Sequence, residues 1–261
     1  MASNEEARGR LGWYDLMTTD IPGAIAFYTK VVGWETEEWC DSEPYTMWKV
    51  SKGPIGGVMD LPEDAKKMGA PPSWMGYGVV SDVTASCKLA EKLGGKVLVQ
   101  PMNIPEVGAF AVLSDPQGAV FAMIEALEEA PGHDDMKRAG EVSWNELMTT
   151  DYQGAFSFYE SLFGWTKLDA MDMGPEMGGI YQMFGRGKMP LGGMFNKPAS
   201  MPGPTAWLFY FNVDDLDAAL ERVASNGGKV LNGPMEVPGG DRVAQCADPQ
   251  GAAFALHAYK K

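Results

Sequence analysis

Trp13-Tyr14-Asp15-Leu16-Met17-Thr18-Thr19-Asp20 returns 131 residues later as Trp144-Asn145-Glu146-Leu147-Met148-Thr149-Thr150-Asp151. At the same offset Gly23-Ala24, Phe27-Tyr28 and Gly33-Trp34 return as Gly154-Ala155, Phe158-Tyr159 and Gly164-Trp165. Across 13–34 and 144–165, 12 of 22 positions are identical. A second block follows at an offset of 133. There Gly94-Gly95-Lys96-Val97-Leu98 matches Gly227-Gly228-Lys229-Val230-Leu231, and Asp115-Pro116-Gln117-Gly118-Ala119 matches Asp248-Pro249-Gln250-Gly251-Ala252. Over 94–121 and 227–254, 15 of 28 positions agree. Matching at both ends of the unit establishes a tandem duplication, and the period is too long for a solenoid repeat, so each copy is a domain. The expected division is domain 1 over 1–127, a polar Pro/Gly-containing linker over 128–142, and domain 2 over 143–261.

Working outward from the quoted stretch, 12–18 reads as a strand. Asp20 is a helix N-cap with Pro22 in the first turn, and Ile25, Phe27, Tyr28, Val31 and Val32 fall at helical spacing up to Gly33. Strands follow near 34–40, 45–51 and 55–60, then a proline-rich crossover over 61–73. The order then repeats, with a strand at 75–81, a helix at 83–93, and strands at 96–100, 108–114 and 119–125. The last two strands join through the Asp-Pro-Gln-Gly turn. Each domain is therefore βαβββ twice, giving four βαβββ modules of an α+β chain.

Composition bounds the function. The chain has 261 residues and a net charge of -14, a balance that repels phosphate backbones and anionic membranes, so neither nucleic acid nor a membrane is an expected partner. No apolar run approaches the roughly 18–20 residues of a membrane helix. Residues 1–10 lack the apolar core of a signal peptide, so a cytoplasmic location is expected. The three cysteines, Cys40, Cys87 and Cys246, are far apart and form no CxxC pair, which suits buried or idle thiols. Eight Trp and 18 Met supply adaptable apolar surface, either as core or as a pocket for a hydrophobic small molecule.

This module order resembles the vicinal-oxygen-chelate superfamily (glyoxalase, bleomycin resistance, dioxygenase). The likeness is carried by Phe27-Tyr28 and Gly33-Trp34 closing the first helix and by Asp115-Pro116-Gln117-Gly118 before the last strand, each present twice in order. It is similar in particular to the two-domain Cfp30B-antigen-like type, whose Gly-Gly-Met-like turn has counterparts in Gly56-Gly57-Val58-Met59 and Gly192-Gly193-Met194. The resemblance implies tandem glyoxalase-like domains whose modules form two open β-cups. It also implies metal ligands at defined positions, and here those positions hold Trp13, Val58, Met75 and Ala122, and Trp144, Met194, Leu208 and Ala255. An arginine that reads glutathione is replaced by Met17 and Met148. With two histidines in the chain, His133 and His257, no metal and no cofactor is expected.

By strand alternation Trp13, Asp15 and Met17 share the cup face, as do Trp144, Glu146 and Met148. Asp15 and Glu146 are candidate catalytic carboxylates, because a carboxylate among Trp and Met has its charged form destabilised. The competing reading is that each bonds to backbone or a buried Tyr or Lys and only holds the shape of the cup. His257 shares a face with Ala255 and is a weaker candidate, and His133 falls in the linker. Trp48, Trp74, Tyr77, Tyr181, Trp207 and Tyr210 lie on or near strands, and alternation alone does not divide them between cup lining and core. Three functions compete. One is a metal-free module binding a hydrophobic or aromatic small molecule. The second is a metal-independent acid/base enzyme (isomerase, lyase or hydrolase) using Asp15 or Glu146. The least supported is a metal-dependent glyoxalase or dioxygenase. An interaction-only role is the fourth reading, and whether the chain is an enzyme stays open at this stage. A monomer supplies both domains, and a homodimer is compatible with the sequence.

Overall fold

The computed structural model of the chain describes residues 6–40, 43–127, 138–201 and 203–260. His133 and most of the expected linker lie outside them. The first half runs β1 (Leu11–Thr18), α1 (Ile21–Val31), β2 (Glu35–Cys40), β3 (Glu43–Val50), β4 (Gly53–Asp60), α2 (Glu63–Lys67), β5 (Ser73–Val79), α3 (Val83–Lys92), β6 (Lys96–Ile104), β7 (Gly108–Ser114) and β8 (Val120–Ala126). The second runs β9 (Val142–Thr149), α4 (Tyr152–Phe163), β10 (Thr166–Asp172), β11 (Ile180–Arg186), β12 (Met189–Asn196), β13 (Ala206–Asn212), α5 (Leu216–Ser225), β14 (Lys229–Glu236), β15 (Arg242–Ala247) and β16 (Ala253–Ala258). The strands form two open eight-stranded mixed sheets, ordered β2-β3-β4-β1-β5-β8-β7-β6 and β10-β11-β12-β9-β13-β16-β15-β14. Beyond shifts in element bounds, two features depart from the sequence reading of the first half and its Gly-Gly segments. The crossover contains the short helix α2, and the Gly-Gly-Met segments are strand interior in β4 and β12.

Local chemistry explains the elements. Asp20, Asp82, Asp151 and Asp215 each cap a helix by accepting from a backbone N–H three residues on, satisfying donors that helical bonding leaves open. Gly164 ends α4 in the left-handed region at φ 70°, which costs a glycine nothing. Gly56 and Gly192 sit where β4 and β12 run parallel to β1 and β9. A Cβ at Gly56 would lie 1.8 Å from the Tyr14 carbonyl oxygen, and one at Gly192 would lie 1.9 Å from that of Asn145, so the two strands approach closely only over a residue without a side chain.

The chain divides into two compact units, and each takes a module from each half. One comprises 1–13, 76–134 and 144–207, and the other 14–75, 135–143 and 208–261. In the second unit Tyr28 of α1 sits amid Trp34, Trp48, Trp74, Phe211 and Phe254. In the first, Tyr159 of α4 sits amid Phe121, Phe163, Trp165 and Trp207. The repeated Gly-Trp tryptophans tie chain to chain inside each unit. Trp34 Nε1 donates to the Gly140 carbonyl at 2.7 Å, and Trp165 Nε1 to that of Gly9 at 2.7 Å.

The repeated Phe-Tyr and Asp-Pro-Gln-Gly motifs meet in these cores. Trp74 Nε1 donates to Tyr28 Oη at 2.9 Å, and Tyr28 Oη donates to Asp248 Oδ2 at 3.1 Å. In the other unit Trp207 Nε1 donates to Tyr159 Oη at 3.1 Å, and Tyr159 Oη to Asp115 Oδ2 at 3.1 Å. The second oxygen of each aspartate accepts from two amides of its own turn, those of Gln117 and Ala119 or of Gln250 and Ala252. Burial pushes both phenols well above their usual range and both carboxyls upward. Burial also pushes the Cys246 thiol up to about 12, which leaves it an inert core thiol.

Candidate functional site

On β9 the residues alternate. Ser143, Asn145, Leu147 and Thr149 are buried, whereas Trp144, Glu146 and Met148 are half-buried. The second set therefore shares one side of the strand, the more exposed one. On β1 Trp13 and Met17 are likewise half-buried. Asp15, between them, is 4% exposed.

Both carboxylates have a phenol as partner. Tyr45 Oη on β3 donates to Asp15 Oδ1 at 2.6 Å. Tyr181 Oη on β11 donates to Glu146 Oε2 at 3.0 Å, and Trp144 Nε1 donates to Tyr181 Oη at 2.7 Å. Each tyrosine reaches its carboxylate by lying across a glycine of the intervening strand. Asp15 is in register with Gly57, and Glu146 with Gly193. A Cβ on Gly57 would stand 2.2 Å from Tyr45 Cζ, and one on Gly193 would stand 2.1 Å from Tyr181 Cε1. The second glycine of each Gly-Gly pair is thus reserved for a side chain, while the first is reserved for backbone. Phe195 of β12, opposite Tyr181, extends the apolar surface with its ring stacked at 5.8 Å.

The structure divides the other candidates. Trp48, expected as a possible lining residue, is fully buried against Tyr28 and Trp34 in the aromatic core. It stands an odd number of residues from Tyr45 on β3, which sends it to the opposite face. Trp74 and Trp207 are likewise committed to the core phenols Tyr28 and Tyr159. Tyr77 and Tyr210, three residues further along, have the opposite parity. They are 6% and 5% exposed and lie in register with Ala122 and Ala255. Tyr45 and Phe195 escaped the sequence reading, and Gly57 and Gly193 entered it only as part of the Gly-Gly segments, with no tie to a tyrosine. Tyr45 matches Tyr181 at an offset of 136 rather than 131, so the flanking repeat does not align the two.

His257 is 8% exposed, with Nδ1 2.7 Å from Ser143 Oγ and Nε2 3.3 Å from Asp241 Oδ2. Ser143 Oγ also lies within donating distance of the Tyr210 carbonyl at 3.3 Å, so which ring nitrogen of His257 carries the proton depends on the tautomer. Burial pushes this histidine below its ordinary value against the pull of Asp241. Because the folded value lies below the unfolded one of about 6.5, the associated stability is present above that pH and is lost as pH falls toward the folded value. Denaturant unfolding between pH 8 and 5 is therefore expected to show stability declining below about 6.5. The decline is expected to be shallower in His257→Gln. An equal decline in both would detach it from this residue.

The positions at which the family resemblance implies metal ligands do not fit a divalent ion. Val58, Met194, Ala122 and Ala255 are fully buried, Met75 is 4% exposed, and none offers a nitrogen or oxygen side-chain donor. Among the described residues no group of three or more His, Cys, Asp or Glu side chains comes together. What the open faces offer instead is a carboxylate–phenol pair set among Trp, Met and Phe. Also among the described residues, no helix is long and apolar enough to cross a membrane.

The profile of the Glyoxalase/Bleomycin resistance protein/Dioxygenase superfamily matches residues 10–123 and 141–256. The putative glyoxylase CFP32 of Mycobacterium tuberculosis is 32% identical over 259 residues, covering 97% of this chain and 96% of the relative. The anthracycline biosynthesis protein DnrV of Streptomyces peucetius is 30% identical over 262 residues, covering 96% and 93%. Among solved structures, the 2,3-dioxygenase LapB from Pseudomonas sp. KL28 superposes with a TM-score of 0.66 at 14% identity, covering 98% of this chain and 94% of that one. The Mn(II)-bound glyoxalase from Novosphingobium aromaticivorans gives 0.63 at 16% identity, covering 98% and 83%. At such identities these two structures speak for the fold alone.

Proposed function

The chain belongs to the glyoxalase/bleomycin resistance protein/dioxygenase superfamily, and we propose that it binds a hydrophobic or aromatic small molecule on the open faces of its sheets without a metal. The observation that carries this reading is the open-face cluster of Trp144, Glu146, Met148, Tyr181 and Phe195. Of these, Trp144 stands at a position where the resemblance implies a metal donor, and the cluster supplies rings and a thioether around one carboxylate. Asp15, Met17 and Tyr45 form its counterpart in the other half. A relative named for anthracycline biosynthesis is in keeping with an aromatic ligand. Tyr77 and Tyr210 remain proposed contributors. Trp48 and Trp74 are buried in the aromatic core, whereas Trp207 is only half-buried where it donates to Tyr159.

Titration with planar aromatic probes, followed by tryptophan fluorescence and melting temperature, tests the reading. Saturable quenching and a raised melting temperature are expected, both weakened in Tyr45→Ala and Tyr181→Ala. Absence of saturable binding by every planar probe would sink it. The carboxylate–phenol pairs favour one alternative, a metal-independent acid/base enzyme, because such a pair can hold and pass a proton. Asp15→Asn and Glu146→Gln separate the two readings. Retained binding with no turnover in any form eliminates the enzyme, and turnover that vanishes in both variants establishes it.

A further inference from the structure

Ser143, His257 and Asp241 form a connected line within one compact unit. Ser143 Oγ on β9 lies 2.7 Å from His257 Nδ1 on β16, and His257 Nε2 lies 3.3 Å from Asp241 Oδ2 in the turn between β14 and β15. The repeat supplies a natural control. At offsets of 131 and 133 the three positions hold Gly12, Ile124 and Gly108, which are buried and carry no polar side-chain atom. The sheet has the same strand order in both halves, so the fold does not require a hydroxyl, an imidazole and a carboxylate there. Burying polar groups costs free energy that their mutual bonds only offset, and the second half alone carries these three in contact.

Their order is that of a nucleophile, a base and the group that orients the base. Asp241 is itself held, since its Oδ1 accepts the Lys260 backbone N–H at 2.8 Å. An ionised carboxylate only accepts. The tautomer with its proton on Nε2 therefore satisfies Asp241, whereas the other sets two acceptors against each other. In the Nε2–H tautomer the Nδ1 lone pair meets the Ser143 hydroxyl, whose second acceptor is the more distant Tyr210 carbonyl at 3.3 Å. Burial pushes His257 below its ordinary value, which keeps the ring neutral and able to take a proton near pH 7.

We propose that Ser143 is a nucleophile with His257 as its base and Asp241 as the positioning residue, and that it accepts the acyl group of a small activated ester or thioester. The hydroxyl oxygen bonds to the acyl carbon as its proton passes to His257 Nδ1. The C–O or C–S bond to the leaving group breaks, and the leaving group takes that proton. Water then attacks the acyl-serine, giving a proton to His257, which returns it to the serine oxygen as the acid is released. Ser143 and His257 are 7% and 8% exposed, which confines the reading to short acyl groups. It uses neither Asp15 nor Glu146, so it stands or falls independently of the aromatic site.

The test treats the full chain with p-nitrophenyl acetate and follows nitrophenolate release together with peptide mass mapping. A burst of release is expected, with an acetyl group on Ser143. Ser143→Ala should lose both and stay folded, since the first half holds Gly12 there. His257→Gln is expected to slow acetylation about a hundredfold, the scale of general base catalysis, and Asp241→Asn about tenfold or more. A pH profile separates positioning from mere support of the fold. The charged and titratable groups around the ring are Asp241, Tyr259 with its ring 4.5 Å away, Lys260, the Glu141–Arg138 pair, Tyr210, and Arg242, which is held by Asp217. Acetylation should rise with pH as His257 loses its proton, and the midpoint should move down in Asp241→Asn, because the carboxylate pulls the imidazole's value up. A native chain in which Ser143 stays unacetylated overturns the proposal, whatever the variants do. Acetylation of Ser143 at an equal rate in His257→Gln overturns the assignment of the base, and an unmoved midpoint in Asp241→Asn overturns that of the positioning residue.

Discussion

Gly193→Ala is expected to empty the open face of its tyrosine while the fold survives, and Gly192→Ala, one residue earlier, to damage the fold. The contrast follows from what each added Cβ would meet. At Gly193 it meets Tyr181 ring atoms at 2.1 to 2.5 Å, and a half-exposed ring can swing away. At Gly192 it meets the Asn145 carbonyl oxygen at 1.9 Å and Phe184 Cζ at 2.7 Å. The parallel β9–β12 pair would have to separate before that contact could relax. For Gly193→Ala we expect affinity for a planar aromatic to fall about tenfold or more, with a melting temperature lowered by only a few degrees. Alanine in a strand interior is not itself unfavourable relative to glycine. For Gly192→Ala we expect a loss of about 3 kcal/mol or more, within the range for forced disruption of a core, and a melting temperature lower by roughly 10 °C. Thermal melts and fluorescence titration of both variants measure the two effects. Unchanged binding in Gly193→Ala would mean that the tyrosine's position over the glycine is irrelevant to the site. Gly56 and Gly57 should repeat the pattern in the first half, since their Cβ atoms would meet Tyr14 backbone and the Tyr45 ring respectively.

The second large effect lies in the cores. Tyr28→Phe retains the ring and its aromatic neighbours but removes the oxygen that accepts from Trp74 and donates to Asp248. Tyr28 is wholly buried and Trp74 is 6% exposed, so the groups left behind gain no water in exchange. Losing two buried hydrogen bonds this way costs about 2–4 kcal/mol, and Tyr159→Phe should cost somewhat less, because half-buried Trp207 can turn its N–H to water. Urea unfolding of Tyr28→Phe, Asp248→Asn and the double variant forms a cycle in which the two losses should not add. A cost below about 0.5 kcal/mol for Tyr28→Phe would show that the hydroxyl is not a structural link.

These two predictions mark where the sequence was legible. The duplication, the helix caps at Asp20 and Asp151, the Asp-Pro-Gln-Gly turns and the alternation of Trp144, Glu146 and Met148 along one strand could all be read from local pattern. Local pattern suffices because alternation and capping act over a few residues. The partners of those residues were harder. Tyr28 finds Asp248 and Tyr159 finds Asp115 because each compact unit combines modules from both halves, and nothing in a periodicity records that exchange. The signal was nonetheless present, since Tyr28, Trp74 and the turn aspartate all recur in the second copy. Trp48 drew notice for its size, and its parity on β3 became visible only with the strand's register. Tyr45 went unseen because the second copy is longer between its first helix and its Gly-Gly strand.

The central claim is a small-molecule site that works without a metal. It is tested most directly by titrating the full chain with 2-naphthol before and after exhaustive dialysis against EDTA. The account predicts saturable binding with the same dissociation constant in both preparations. Binding that is lost on chelation and restored by a divalent cation would contradict it.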